Sequence, residues 1–154
     1  MYTAIVFDPE TEQRLQELMV FFPYPHSVGW VLYGHHVTIC MGTNSKKKFP
    51  FGEKVEIKVV GLGHTLATDI PEKKRKGIDD MEAKVAFAAL VELPEGKFIK
   101  NDSPHITLGV NWHAGGKPVH SNYAQWYSGN HQLNAKEMGF NPFTVTGTVE
   151  VCGA

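Results

Sequence analysis

The sequence predicts a single α+β domain, built as two similar lobes of mostly antiparallel sheet with flanking helices. Three observations carry that expectation. Short β-branched and apolar segments recur along the 154 residues, several with clean alternation. One early segment has helical spacing instead. A His-apolar-Thr-apolar pattern occurs twice, each time followed later by a strand-like run ending near glycine. Two copies are too few for a repeat array, and the length suits one domain with its own core.

Taken in order, Thr3–Asp8 reads as a short strand. Glu10–Phe22 reads as a helix, because Leu15, Leu18, Met19 and Phe22 recur at i, i+3, i+4 and i+7. Pro9 suits its start, and Pro23 and Pro25 stop it. Val28–Tyr33 and His36–Met41 are strands divided by Gly34. Lys54–Leu62 alternates, with Val55, Ile57 and Val59 on one face. Leu66–Asp80 is polar and highly charged, and is expected to be a mobile loop. Val85–Leu93 is a strongly apolar strand, and Glu95-Gly96 marks a turn. Ile106–Val110 is a further strand, and residues 114–118 form a loop. Ser121 is placed as the cap of a short helix over Asn122–Tyr127. Phe143–Val151 closes the series with strict alternation.

Composition narrows the function classes. Apolar residues make up 42% and charged residues 20%, a globular rather than a disordered balance. No apolar run is long enough to span a membrane, and the early Asp8 is unlike a signal peptide. A cytoplasmic protein without a membrane partner is expected. Cys40 and Cys152 are read as two buried thiols rather than a disulfide or a zinc signature. Net charge is −1 with His neutral, which argues against a grip on long nucleic acid. The cations cluster instead at Lys46–Lys48 and Lys73–Lys76, a balance better suited to a small anionic ligand.

The chemistry-bearing pattern is His36-Val37-Thr38-Ile39 and His105-Ile106-Thr107-Leu108. Side chains two apart in a strand share a face, so each copy presents an imidazole beside a hydroxyl and turns two apolar residues to the core. If the two strands face each other, four polar groups converge. Two histidines can serve as base and acid near neutrality. Two threonine hydroxyls can hold non-bridging phosphoryl oxygens as charge develops. No HExxH, CxxC or P-loop lysine motif is present, so neither metal nor cofactor is expected. Together these point to phosphodiester cleavage.

The paired motifs resemble the 2H phosphoesterase superfamily, and the likeness of repeat, strand order and length spans nearly the whole chain. The resemblance implies a two-lobed fold with the motifs on central strands. It makes His36 and His105 the acid/base pair and Thr38 and Thr107 the phosphate binders. It implies action on 2′,3′-cyclic phosphates, linear 2′-5′ oligoadenylates or cyclic oligonucleotides. Within that superfamily the small stand-alone chain is most similar to the phage anti-CBASS nucleases, which degrade cyclic di- and trinucleotide immune signals. The residues Gly115–Asn122 also resemble segments of RNA-repair members, which open terminal 2′,3′-cyclic phosphates. A nucleotide sponge without chemistry is the third reading, and intact His and Thr in both motifs argue against it. The resemblance leaves the oligomeric state and the assignment of acid and base open.

Further candidates lie near the motifs. Tyr33 and Trp112 flank them and are candidates for stacking on a base, as are Trp30, Tyr123, Trp126 and Tyr127. Lys117, beside Gly115-Gly116, and Lys73–Lys76 are candidates to close over a phosphate. His35 is expected to point away from His36. His64, His113, His120 and His131 are expected in exposed loops, with His113 or His120 a possible cleft residue.

Overall fold

The computed structural model describes residues 1–22, 29–42, 49–97, 99, 103–126 and 140–153. Among these residues, eight strands form a mostly antiparallel sheet, with one short α-helix and several 3₁₀ turns. The strands are β1 (Tyr2–Val6), β2 (Trp30–Leu32), β3 (His36–Met41), β4 (Lys54–Leu66), β5 (Lys84–Glu92), β6 (His105–Asn111), β7 (Gln125–Trp126) and β8 (Phe143–Cys152); the helix is α1 (Pro9–Gln16). The α+β class expected from sequence is therefore what the chain adopts.

Six strands pair in the order β6-β3-β1-β8-β4-β5, and β5 pairs again with β6, so the sheet closes on itself. β2 extends β6, and β7 adds to β4. Each motif strand is flanked on both sides: β3 lies between β1 and β6, and β6 has β5 on one side and β3, continued by β2, on the other. The strand that follows the first motif, β4, joins β5 on the β6 side. The strand that follows the second, β8, joins β1 on the β3 side.

The helix begins where expected and ends early. Asp8 caps it, accepting a 2.7 Å hydrogen bond from the Thr11 amide, and Pro9 takes the first helical position. After Gln16 the coil tightens into a 3₁₀ turn over Glu17–Phe21. Phe22, which precedes Pro23, is already extended, as the residue before a proline tends to be. The apolar stripe survives the change: Leu15, Leu18, Met19 and Phe22 are all buried. They pack against the inward residues of the sheet, including Val37, Ile39, Ile106 and Leu108. Phe87 is sandwiched at the centre, its ring 4.0 Å from Phe22 and 4.7 Å from Trp30.

Three expectations need correction. β4 continues to Leu66, because β5 pairs along it through Leu66–Lys84; a bulge between Val59 and Gly61 breaks the two-residue period. The charged stretch after it is packed rather than loose. Two 3₁₀ turns, Ala67–Asp69 and Glu72–Lys74, bury Ala67, Ile70 and Ile78 with Val85 in a second small core. Arg75 folds back onto this stretch, its guanidinium donating to the Ile70 and Thr68 carbonyls. Finally, Ser121 lies inside a 3₁₀ turn over Pro118–Tyr123 rather than capping a helix, and Gln125–Trp126 is strand β7. Pro118 sets that earlier start, and Tyr127 lies outside the described residues.

Gly115 and Gly116 are fixed, not flexible. Gly115 has φ +88°, and a Cβ there would lie 2.1 Å from the Gly77 carbonyl oxygen; Gly116 is buried. They dock the segment after β6 onto the small core. Among the described residues, no helix is long and apolar enough to cross a membrane.

Candidate active site

The first motif lies on β3 and the second on β6, with Val37 and Ile106 paired across the two strands. Val37, Ile39, Ile106 and Leu108 are buried in the core, while His36, Thr38, His105 and Thr107 all line one cleft of about 560 Å³. Antiparallel pairing about Val37–Ile106 carries His36 toward Thr107 and Thr38 toward His105. The four polar groups are thus brought together by the period of two in each strand and by the register between them. The volume suits a small organic ligand.

Each histidine is held by a different neighbour. His105 Nδ1 lies 2.9 Å from the Ser103 carbonyl oxygen and donates to it, which directs Nε2 into the cleft. Nε2 lies 3.1 Å from Ser121 Oγ, and Thr107 Oγ1 is 2.7 Å from the same oxygen. His36 Nδ1 faces His35 Nδ1 at 2.9 Å. With the hydrogen on His36 Nδ1, its Nε2 is a bare base. The Tyr2 ring, from the neighbouring β1, packs 5.1 Å from the His36 ring.

Electrostatics separate the pair from ordinary histidines. Burial pushes the His36 pKa down from 6.5 to about 4, and the neighbouring His35 and His105 push the same way. Burial also lowers His105, against the Ser103 carbonyl, which favours its charged form. Among the described residues lining the cleft there is no Asp, Glu, Lys or Arg; hydroxyls, imidazoles and the Asn122 carboxamide supply its polarity. Among the described residues, no group of three or more His, Cys, Asp or Glu side chains is arranged to hold a metal ion.

The remaining candidates divide. Tyr33 lines the cleft, and Trp112 sits outside its wall, donating from Nε1 to the Tyr33 hydroxyl at 3.0 Å. Lys117 is exposed and is not part of the wall; its amide is bound by His120 Nδ1. Lys74 donates to the Tyr123 hydroxyl and Arg75 is a backbone staple, so neither reaches over the cleft. Trp30 is stacked in the core. Trp126 lies 6.1 Å from His105, in space opened by Gly63, whose Cβ would otherwise fall 2.4 Å from that indole.

Several site features escaped the sequence reading. His35 lines the same cleft as His36, because β3 begins only at His36 and alternation does not extend back to it. His120, expected to be exposed, is buried. Tyr2 and Ser121 reach the cleft only through long-range pairing, which no local pattern announces. Of the other histidines, His113 is exposed and His64 half-buried in β4, and His131 lies outside the described residues. Cys40 and Cys152 are not joined in a disulfide, and both are half-buried rather than fully buried. No protein-family model, curated protein or solved structure matches the chain.

Proposed function

We propose that the chain is a metal-independent phosphodiesterase of the 2H type, with β3-β1-β8 and β6-β5-β4 as its two lobes, acting in the cytoplasm. One observation carries the reading: two imidazoles and two threonine hydroxyls from separate parts of the chain share one small cleft. One imidazole takes a proton from the nucleophile, and the other returns one to the leaving oxygen. Thr38 and Thr107 donate to the non-bridging oxygens, where a transferring phosphoryl group gathers charge.

The substrate we favour is a cyclic di- or trinucleotide immune signal, cut at a 3′-5′ linkage by attack of the adjacent ribose 2′-hydroxyl. The cleft volume, and a wall that among the described residues holds no lysine or arginine, fit a compact ligand better than a long polyanion. Met41 and Val119, exposed at 76% and 57%, give the wall apolar faces against which a base can rest.

The test is incubation in EDTA with 3′3′-cyclic GMP–AMP, cyclic tri-AMP and an RNA ending in a 2′,3′-cyclic phosphate. Cleavage of the cyclic oligonucleotides is expected, with His36→Ala or His105→Ala each costing roughly 10²- to 10⁴-fold in rate. Opening of the RNA end alone would move the protein to RNA processing. Tight binding without product from any of the three would make it a sponge and end the catalytic reading.

A further inference from the structure

Ser121 is 2% exposed, and three hydrogen-bonding contacts meet at its hydroxyl. Its Oγ donates to the Pro118 carbonyl at 2.9 Å, lies 2.7 Å from Thr107 Oγ1, and lies 3.1 Å from His105 Nε2. A hydroxyl has one hydrogen. Once that hydrogen goes to Pro118, Oγ can only accept, so Thr107 and His105 Nε2 must both bring hydrogens to it. The other ring nitrogen of His105 faces the Ser103 carbonyl, which also can only accept. Every contact is therefore satisfied when His105 carries hydrogens on both nitrogens, that is, as imidazolium. With a neutral ring, the Ser121 hydroxyl must turn to Nε2 and give up Pro118, whose carbonyl keeps only the backbone N–H of the 3₁₀ turn, so the charged ring holds one more hydrogen bond than the neutral one.

We infer that Ser121 is a positioning residue that ties His105 to Thr107 and favours the charged form of His105, making His105 the proton donor and His36 the proton acceptor of the pair. The inference rests on the phosphodiesterase reading for its catalytic meaning, but not for its test. In the reaction, the leaving oxygen replaces Ser121 Oγ as acceptor of the Nε2 proton, and a non-bridging oxygen replaces it as acceptor of the Thr107 proton. The N–H bond breaks, an O–H bond forms on the leaving group, and the Ser121 hydroxyl swings from Pro118 to the bared Nε2. The proton taken by His36 from the nucleophile balances the one His105 gives up. Among the described residues lining the cleft, the titratable groups are Tyr2, Tyr33, His35, His36 and His105, so no carboxylate or amine competes for this role.

The test is a titration of the histidine rings by ¹H–¹⁵N NMR in the intact protein, with Ser121→Ala and Ser121→Thr beside it. In the unaltered protein His105 is expected to take up its proton at higher pH than His36. Ser121→Ala should lower the His105 midpoint by about one pH unit, the scale of one lost charge-assisted hydrogen bond. Ser121→Thr, which keeps the hydroxyl, should restore it. His36 titrating first, or a His105 midpoint unmoved or raised in Ser121→Ala, would overturn the inference. Should Ser121→Ala fail to fold, the titration order in the unaltered protein still decides. Because these readouts need no substrate, a failed cleavage assay and a failed titration are distinguishable.

Discussion

At the scale of single residues, the two histidines are alike in sequence and unlike in surroundings. His36 stands against another imidazole, and His105 against a carbonyl and a hydroxyl. With His36 neutral as base and His105 charged as acid, kcat/KM should be highest between about 4, the His36 value, and 6.5, the ordinary value from which His105 is lowered. A profile that climbs steadily into the alkaline range would exclude His105 as the acid. The same depression affects folding. A histidine whose folded pKa lies below its unfolded value contributes no penalty above 6.5, and stability is lost as pH falls from 6.5 toward the folded value of about 4. The urea midpoint should therefore drop between those two pH values, and His36→Asn should flatten the drop.

At the scale of elements, strand faces were legible in the sequence and strand neighbours were not. The period of two placed His36, Thr38, His105 and Thr107 on exposed faces, with Val37, Ile39, Ile106 and Leu108 inward. It failed at the bulge in β4, and at His35, just outside β3, because alternation holds only inside a regular strand. The stretch after β4 was misjudged for another reason. Its many charges concealed three buried apolar residues, Ala67, Ile70 and Ile78, and a backbone-binding Arg75. Its docking leans on Gly115, whose φ of +88° and contact with Gly77 leave no room for a side chain. Gly115→Ala should cost about 1–3 kcal/mol of strain. Faster amide exchange should be confined to residues 67–81, and an unchanged exchange pattern would mean that this contact does not hold the segment.

At the scale of the whole molecule, the core and the cleft are two faces of one closed sheet. Phe87 anchors the core face, stacked between Phe22 from the helical segment and Trp30 from the strand beside β6. Phe87→Ala should destabilise by about 3–5 kcal/mol, read as a lowered thermal midpoint, since the ring is wholly buried and leaves a cavity. A loss below about 1 kcal/mol would show that the neighbouring rings collapse into the space.

The exchange of outer strands has a kinetic consequence. β4 completes the half that carries the second motif, and β8 completes the half that carries the first, pairing along β1 with Tyr2 opposite Cys152. No contiguous stretch of the chain holds a finished half. Contacts this distant in sequence form late and slowly. During synthesis both histidines are made well before β8 leaves the ribosome, and β1, which carries Tyr2 into the cleft, lacks one of its two partners until then. If the proposed function holds, a chain cut short before Phe143 should contain both motifs and cleave none of the three test substrates.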